Sequence, residues 1–157
     1  MRSVFLLSFL ALYAQPHSPV DAATFINPTG TYLLKGEIRK NNITGHFGEI
    51  RVRLLDSQTV AFCLYISSGY PDYASGAAID TLQYEDNNVI HYRPARDSTC
   101  FLVLTFGVRS VEIMEVLTDP HSGCGFSPGI LVPATFQKVS SETPVIQDLS
   151  QRGRRRL

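Results

Sequence analysis

Glu49-Ile-Arg-Val-Arg-Leu-Leu55, Asp56-Ser-Gln58 and Thr59-Val-Ala-Phe-Cys-Leu-Tyr-Ile-Ser67 together decide the fold class. Ile50, Val52 and Leu54 alternate with Glu49, Arg51 and Arg53. A period of two puts one apolar and one charged face on an extended chain. Val60, Phe62, Leu64 and Ile66 repeat the pattern after a short polar turn. Two such runs so joined predict an antiparallel hairpin with one face on a core.

Working outward, Thr31 to Ile38 is a strand before this hairpin. Ala77 to Tyr84, Val89 to Arg93, Cys100 to Phe106, Val111 to Leu117 and Ile130 to Lys138 are strands after it. Cys100 to Phe106 is apolar at successive positions, which predicts cover on both faces. Pro133 within the last strand predicts an edge or a bulge. No stretch shows the period of an amphipathic helix. The sum is an all-β chain, an antiparallel meander of about eight strands closing into a small barrel. A two-sheet sandwich is the alternative.

Before the strands, Arg2 precedes the apolar run Val4 to Ala14. The run is about half the length that crosses a bilayer as a helix and fits a secretory signal. Small residues place cleavage after Ala14 or Ala22, with Ala22 preferred. The predicted organisation is a signal at 1–22, an irregular proline-bearing lead-in at 23–29, one β domain at 30–139 and a disordered or loosely draped basic tail at 140–157. No second apolar stretch reaches the length of a membrane span.

The 14 basic and 14 acidic residues cancel, but Arg152, Arg154, Arg155 and Arg156 all lie in the tail. The body is therefore mildly acidic. Nucleic-acid binding, which needs basic charge gathered on a folded face, is not expected.

Three cysteines, at 63, 100 and 124, suggest one pair and one thiol in an exported chain. If the strands beginning at Cys100 and Val111 pair, the chain returns past Cys100 near Leu117, and the next loop can bring Cys124 back to it. Such a bridge closes about 25 residues and contributes about 3–4 kcal/mol in the loop-entropy account. Cys63, between Phe62 and Leu64, reads as a small buried hydrophobe. His121-Ser-Gly-Cys124 offers too few ligands for a metal, and neither metal nor cofactor is expected.

Asp80 is the carboxylate of most interest, since it shares a strand face with Ala78, Leu82 and Tyr84. Buried, it would hold its proton and serve as a general acid; at a strand end it would only cap a neighbouring group. His46, His91 and His121 stand singly, and no nucleophile elbow, zinc-protease motif or phosphate-binding glycine loop occurs. A catalytic role is not expected. Asn42-Ile-Thr44 fits the glycosylation acceptor pattern.

The loops carry the functional reading. Ser68-Gly-Tyr-Pro-Asp-Tyr-Ala-Ser-Gly76 and the 118–129 segment are constrained by glycine and proline and carry aromatics. Ser68, Tyr70, Asp72, Tyr73, Ser75, His121 and Phe126 are the candidate binding residues. Rigid loops bearing aromatics on a β scaffold make a recognition surface; tyrosines packed over a barrel end are the plainer alternative.

The ordered set Gly30-Thr-Tyr32, Ser75-Gly-Ala-Ala-Ile-Asp-Thr-Leu-Gln-Tyr84, Asp97-Ser-Thr-Cys100, Gly123-Cys-Gly-Phe126 and Ser141-Glu-Thr-Pro144 resembles a group of small exported bacterial β proteins. The resemblance implies an exported β domain with Cys100 and Cys124 paired. A looser resemblance is to the C-type lysozyme inhibitors, small eight-stranded barrels that block the lysozyme cleft with an S-G-x-x-Y loop. Here Ser75-Gly76-Ala77-Ala78 is followed by Ile79, and Ser68-Gly69 is followed at once by Tyr70. The functional expectation is an exported, non-enzymatic binding protein, in its specific form an inhibitor of a lysozyme-like hydrolase. The alternatives are a carrier of a small apolar ligand and a structural protein of the envelope. Bulky inward candidates (Val60, Phe62, Leu64, Ile66, Leu102, Leu104, Phe106) disfavour the carrier.

Overall fold

The computed structural model describes residues 24–95, 97–119, 123–127, 129–130 and 133–149. The predicted signal and the arginines of the tail lie outside the described residues. The strands are β1 (Gly30–Leu34), β2 (Glu37–Arg39), β3 (Asn42–Thr44), β4 (Phe47–Asp56), β5 (Thr59–Ser67), β6 (Ser75–Gln83), β7 (Val89–Tyr92), β8 (Cys100–Phe106), β9 (Ser110–Leu117) and β10 (Ala134–Ser140). Eight form one antiparallel sheet in the order β6-β5-β4-β1-β10-β9-β8-β7, curled nearly into a closed barrel. β2 and β3 form a separate hairpin.

The β4–β5 hairpin pairs Ile50 with Leu64 and Val52 with Phe62, so the alternating apolar residues of both strands share one face. All four are fully buried. The other expected inward residues, Val60, Ile66, Leu102, Leu104 and Phe106, are buried as well. Tyr32, Ile90, Val111, Ile113 and Phe136 complete the filling. Burying a large apolar side chain of this kind contributes about 1.5–3 kcal/mol.

Three features depart from the sequence expectation. Thr31 to Ile38 is not one strand: it breaks after Leu34, and Glu37–Arg39 leaves the barrel to pair with β3. The last strand begins after Pro133, not at Ile130. β10 lies between β1 and β9, where an internal proline would cost a ladder hydrogen bond. β8 is covered on one face only, with Phe101 and Val103 half-buried and Thr105 exposed on the other.

The strand covered on both faces is β5. Its outward Cys63 is fully buried and its outward Ala61 nearly so. The cover is the chain after β10. Arg51 Nη1 donates to Val145 O at 3.2 Å, the Cys63 thiol meets the backbone of Gln147, and Leu149 is buried. Residues 141–149 thus cross the outer face of the sheet as a strap. Arg51 is braced by Glu49 at 2.5 Å.

The pairing makes β1, β5, β7 and β9 run one way and β4, β6, β8 and β10 the other. The short turns 57–58, 84–88 and 107–109 therefore gather at one end, with the lead-in. Asn88 sews the lead-in down. Its Oδ1 accepts from Ile26 N at 2.8 Å, and its Nδ2 donates to Thr24 O at 2.9 Å. Tyr84 and Tyr32 donate their hydroxyls to Ile26 O at 2.6 Å and Pro28 O at 2.8 Å. The β2–β3 hairpin, the 68–74 loop and the described residues of the 93–99 loop and of the connection after β9 all lie at the opposite end.

Candidate functional site

The loop end is built from a brace and a stopper. The brace is the β2–β3 hairpin, turned by Lys40 and Asn41, both at positive φ (48° and 65°). Two successive residues of this kind make the tight turn whose twist suits paired strands. β3 holds the 68–74 loop, since Tyr70 N donates to Ile43 O at 2.7 Å and Thr44 and Tyr70 form a parallel bridge. Gly69 makes the approach possible. Its φ is +74°, and a Cβ there would lie 2.8 Å from Ile43 O.

Within the loop, Tyr73 N donates to Gly69 O at 2.8 Å and Ser68 N to Ala74 O at 2.9 Å. The Tyr70 and Tyr73 rings meet edge-on, 6.4 Å apart, and Tyr73 OH lies 3.4 Å from Asn42 Oδ1. The result is a rigid loop with an exposed crest. Tyr70 is 53% exposed, and Pro71, Asp72 and Ser75 are open to solvent. Ser68 and Tyr73 are half-buried. On the brace, Ile38 stands 80% exposed. Sequence reasoning missed this apolar residue because it absorbed the position into the preceding strand; Lys40-Asn41 was the available turn signal.

The stopper is residues 123–127. Cys124 is bonded to Cys100 with Cα atoms 5.1 Å apart. Phe126 N donates to Gly123 O at 2.7 Å. Phe126 is not part of the exposed surface: it is buried, its ring lying on Gly76 where a Cβ would collide with it. It closes the barrel mouth instead. His121, the remaining candidate of that loop, lies outside the described residues.

Asp80 is not a buried acid. It is exposed, and its carboxylate accepts from Thr81 N at 2.7 Å. The reason is that β6 ends the sheet, so solvent reaches its inner face. His46 Nε2 sits 3.1 Å from Gly129 O, and His91 faces Glu85 at 3.4 Å; neither contact involves Asp80. The Cys63 thiol is pushed up by burial under the strap, which suppresses the reactive thiolate. Among the described residues, one group has ligand atoms close enough for a metal, namely Cys100, Glu115 and Cys124, within 4.8 Å of one another. Both sulfurs are tied up in the disulfide, and burial pushes the Glu115 carboxyl up.

The site therefore offers a rigid aromatic crest on one end of a filled barrel. Comparison with protein-family models, with curated proteins and with solved structures found no match.

Proposed function

We propose that this chain acts outside the cytoplasm as a non-enzymatic binding protein and meets a partner protein with its loop end. The supporting observation is the 68–74 loop, clamped to β3 through Tyr70 N while the Tyr70 ring remains exposed. An aromatic held in place before binding loses little conformational freedom on contact, so more of its burial appears as affinity. The Cys100–Cys124 bridge suits an oxidising compartment.

In its specific form the partner is a lysozyme-like hydrolase, whose cleft would receive the Tyr70 crest. Barrel size and a projecting loop beside Ser68-Gly69 support that form. A carrier of an apolar ligand draws no such support, since the inward positions hold Phe62, Leu64, Leu102 and Phe106.

The test uses the chain from residue 23 onward against chicken-, goose- and invertebrate-type lysozymes. Inhibition of one type is expected, weakened about tenfold or more by Tyr70→Ala, as for an exposed aromatic anchor. A panel left fully active overturns the hydrolase form. Undiminished inhibition by Tyr70→Ala overturns the assignment to the crest.

A further inference from the structure

The barrel has one break, and its chemistry is distinct from that of the crest. β6 and β7 end the sheet and are not hydrogen-bonded to each other. A depression of about 530 Å³ lies along the break, lined by Ser75, Gly76, Ala77, Ala78, Ile79, Tyr92 and Asp148.

The ladder shows which groups face it. Ser68 N donates to Ala74 O, and Tyr84 N to Gln58 O. In the β5–β6 register these are directly opposed pairs, as are Ile66 with Gly76 and Leu64 with Ala78. Even-numbered residues of β6 therefore turn their N–H and C=O toward β5, because directly opposed pairs alternate between bonded and unbonded. The odd-numbered residues Ser75, Ala77 and Ile79 turn theirs into the break. Thr81 faces it too, but its N–H is already taken by the Asp80 carboxylate. The accessible edge thus runs from Ser75 to Ile79, the stretch that lines the depression.

We propose that this edge receives an extended basic peptide segment of a partner protein, which adds to β6 as a strand. An exposed edge templates such pairing, with main-chain bonds supplying affinity. Gly76, Ala77 and Ala78 are small enough to let a second backbone come close. The sign of the charge follows from the exposed carboxylate of Asp80, the next residue of β6 beyond the accessible edge. An inward-pointing Asp80 also guards the edge against indiscriminate pairing. Ile79, half exposed, gives the added strand an apolar neighbour.

The probe is an acetylated, amidated hexapeptide, Lys-Val-Lys-Val-Thr-Val, fluorescently labelled and titrated into the full mature chain by anisotropy. Saturable binding is expected, with amide shifts confined to 75–81 and Tyr92. A version with Glu for Lys should bind about tenfold weaker, and the difference should shrink with salt. Ala77→Pro should abolish binding yet keep the β5–β6 ladder, because the lost N–H faces the break. Should that variant misfold, backbone N-methylation of the peptide tests the same bonds on the unaltered protein. Equal binding of the acidic peptide, or binding indifferent to N-methylation, overturns the proposal. Concentration-dependent self-association of the protein alone, shifting the same amides, overturns it in favour of a second copy.

Discussion

Gly76 has room for a hydrogen and little else, because the Phe126 ring lies where its Cβ would be. Gly76→Ala should destabilise the fold by about 2 kcal/mol through overpacking, read from urea unfolding. Phe126→Ala removes the obstruction at the cost of a cavity. In the double variant the two losses should therefore sum to less than their separate values, a coupling of about 1 kcal/mol or more. Strict additivity would place the ring elsewhere. Tyr32 and Tyr84 give the pH response at the turn end. Burial pushes the Tyr84 phenol up to about 12 and Tyr32 higher, where Tyr84 adds a smaller push. The unfolded chain releases these protons near pH 10 and the folded chain does not. Stability is thus fully present below about pH 10 and falls above it, by about 1.4 kcal/mol per pH unit for each phenol. Alkaline unfolding followed by far-ultraviolet dichroism, with Tyr84→Phe flattening the slope by about half between pH 10 and 12, checks this.

At the scale of elements, the strap explains what the sequence pattern left out. Residues 141–149 carry no period of two and few apolar side chains, and they dock through main-chain atoms (Val145 O and the backbone of Gln147) and one anchor, Leu149. Backbone docking leaves no trace in side-chain periodicity. The β4–β5 hairpin was legible for the opposite reason: every second residue had to face the core, so burial wrote itself into the sequence. β2 and β3 escaped notice because no residue of either strand is buried. For Asp80 the pattern left both a buried and a capping acid open, because alternation reports which face a residue points to, and not whether the neighbouring strand covers that face; the structure shows the capping one. The strap makes a specific prediction. Cys63 should resist a thiol reagent such as dithionitrobenzoate in the native chain, since it is fully buried. Ending the chain at Ser140 should raise its labelling rate about tenfold or more by exposing the outer face of β5. Arg51→Ala, which removes the bond to Val145 O, should raise it by less. Equal rates in all three would mean that the thiol is shielded by something other than the strap.

For the whole molecule, the organising fact is an asymmetric barrel with one open seam. Its turn end is sealed by the lead-in through Asn88, Tyr84 and Tyr32. Its loop end is closed by Phe126 and braced by β2 and β3. The strands farthest from the seam, β1 and β10, are paired on both sides, whereas β6 and β7 have one partner each. Local opening should follow that gradient, because an amide exchanges when its hydrogen bond breaks and solvent enters. Hydrogen exchange should be slowest in β1 and β10 and fastest along the seam. Within β6 it should alternate: the amides of Gly76, Ala78 and Leu82, bonded to β5, are protected, whereas those of Ala77 and Ile79, facing the seam, exchange at nearly the unprotected rate. Thr81 is the informative exception, an odd-numbered amide slowed by the Asp80 carboxylate and released in Asp80→Ala. If β6 and β7 instead zip together in solution, protection at Ala77 and Ile79 will match that at Ala78. The barrel would then be closed and its edge unavailable to any added strand.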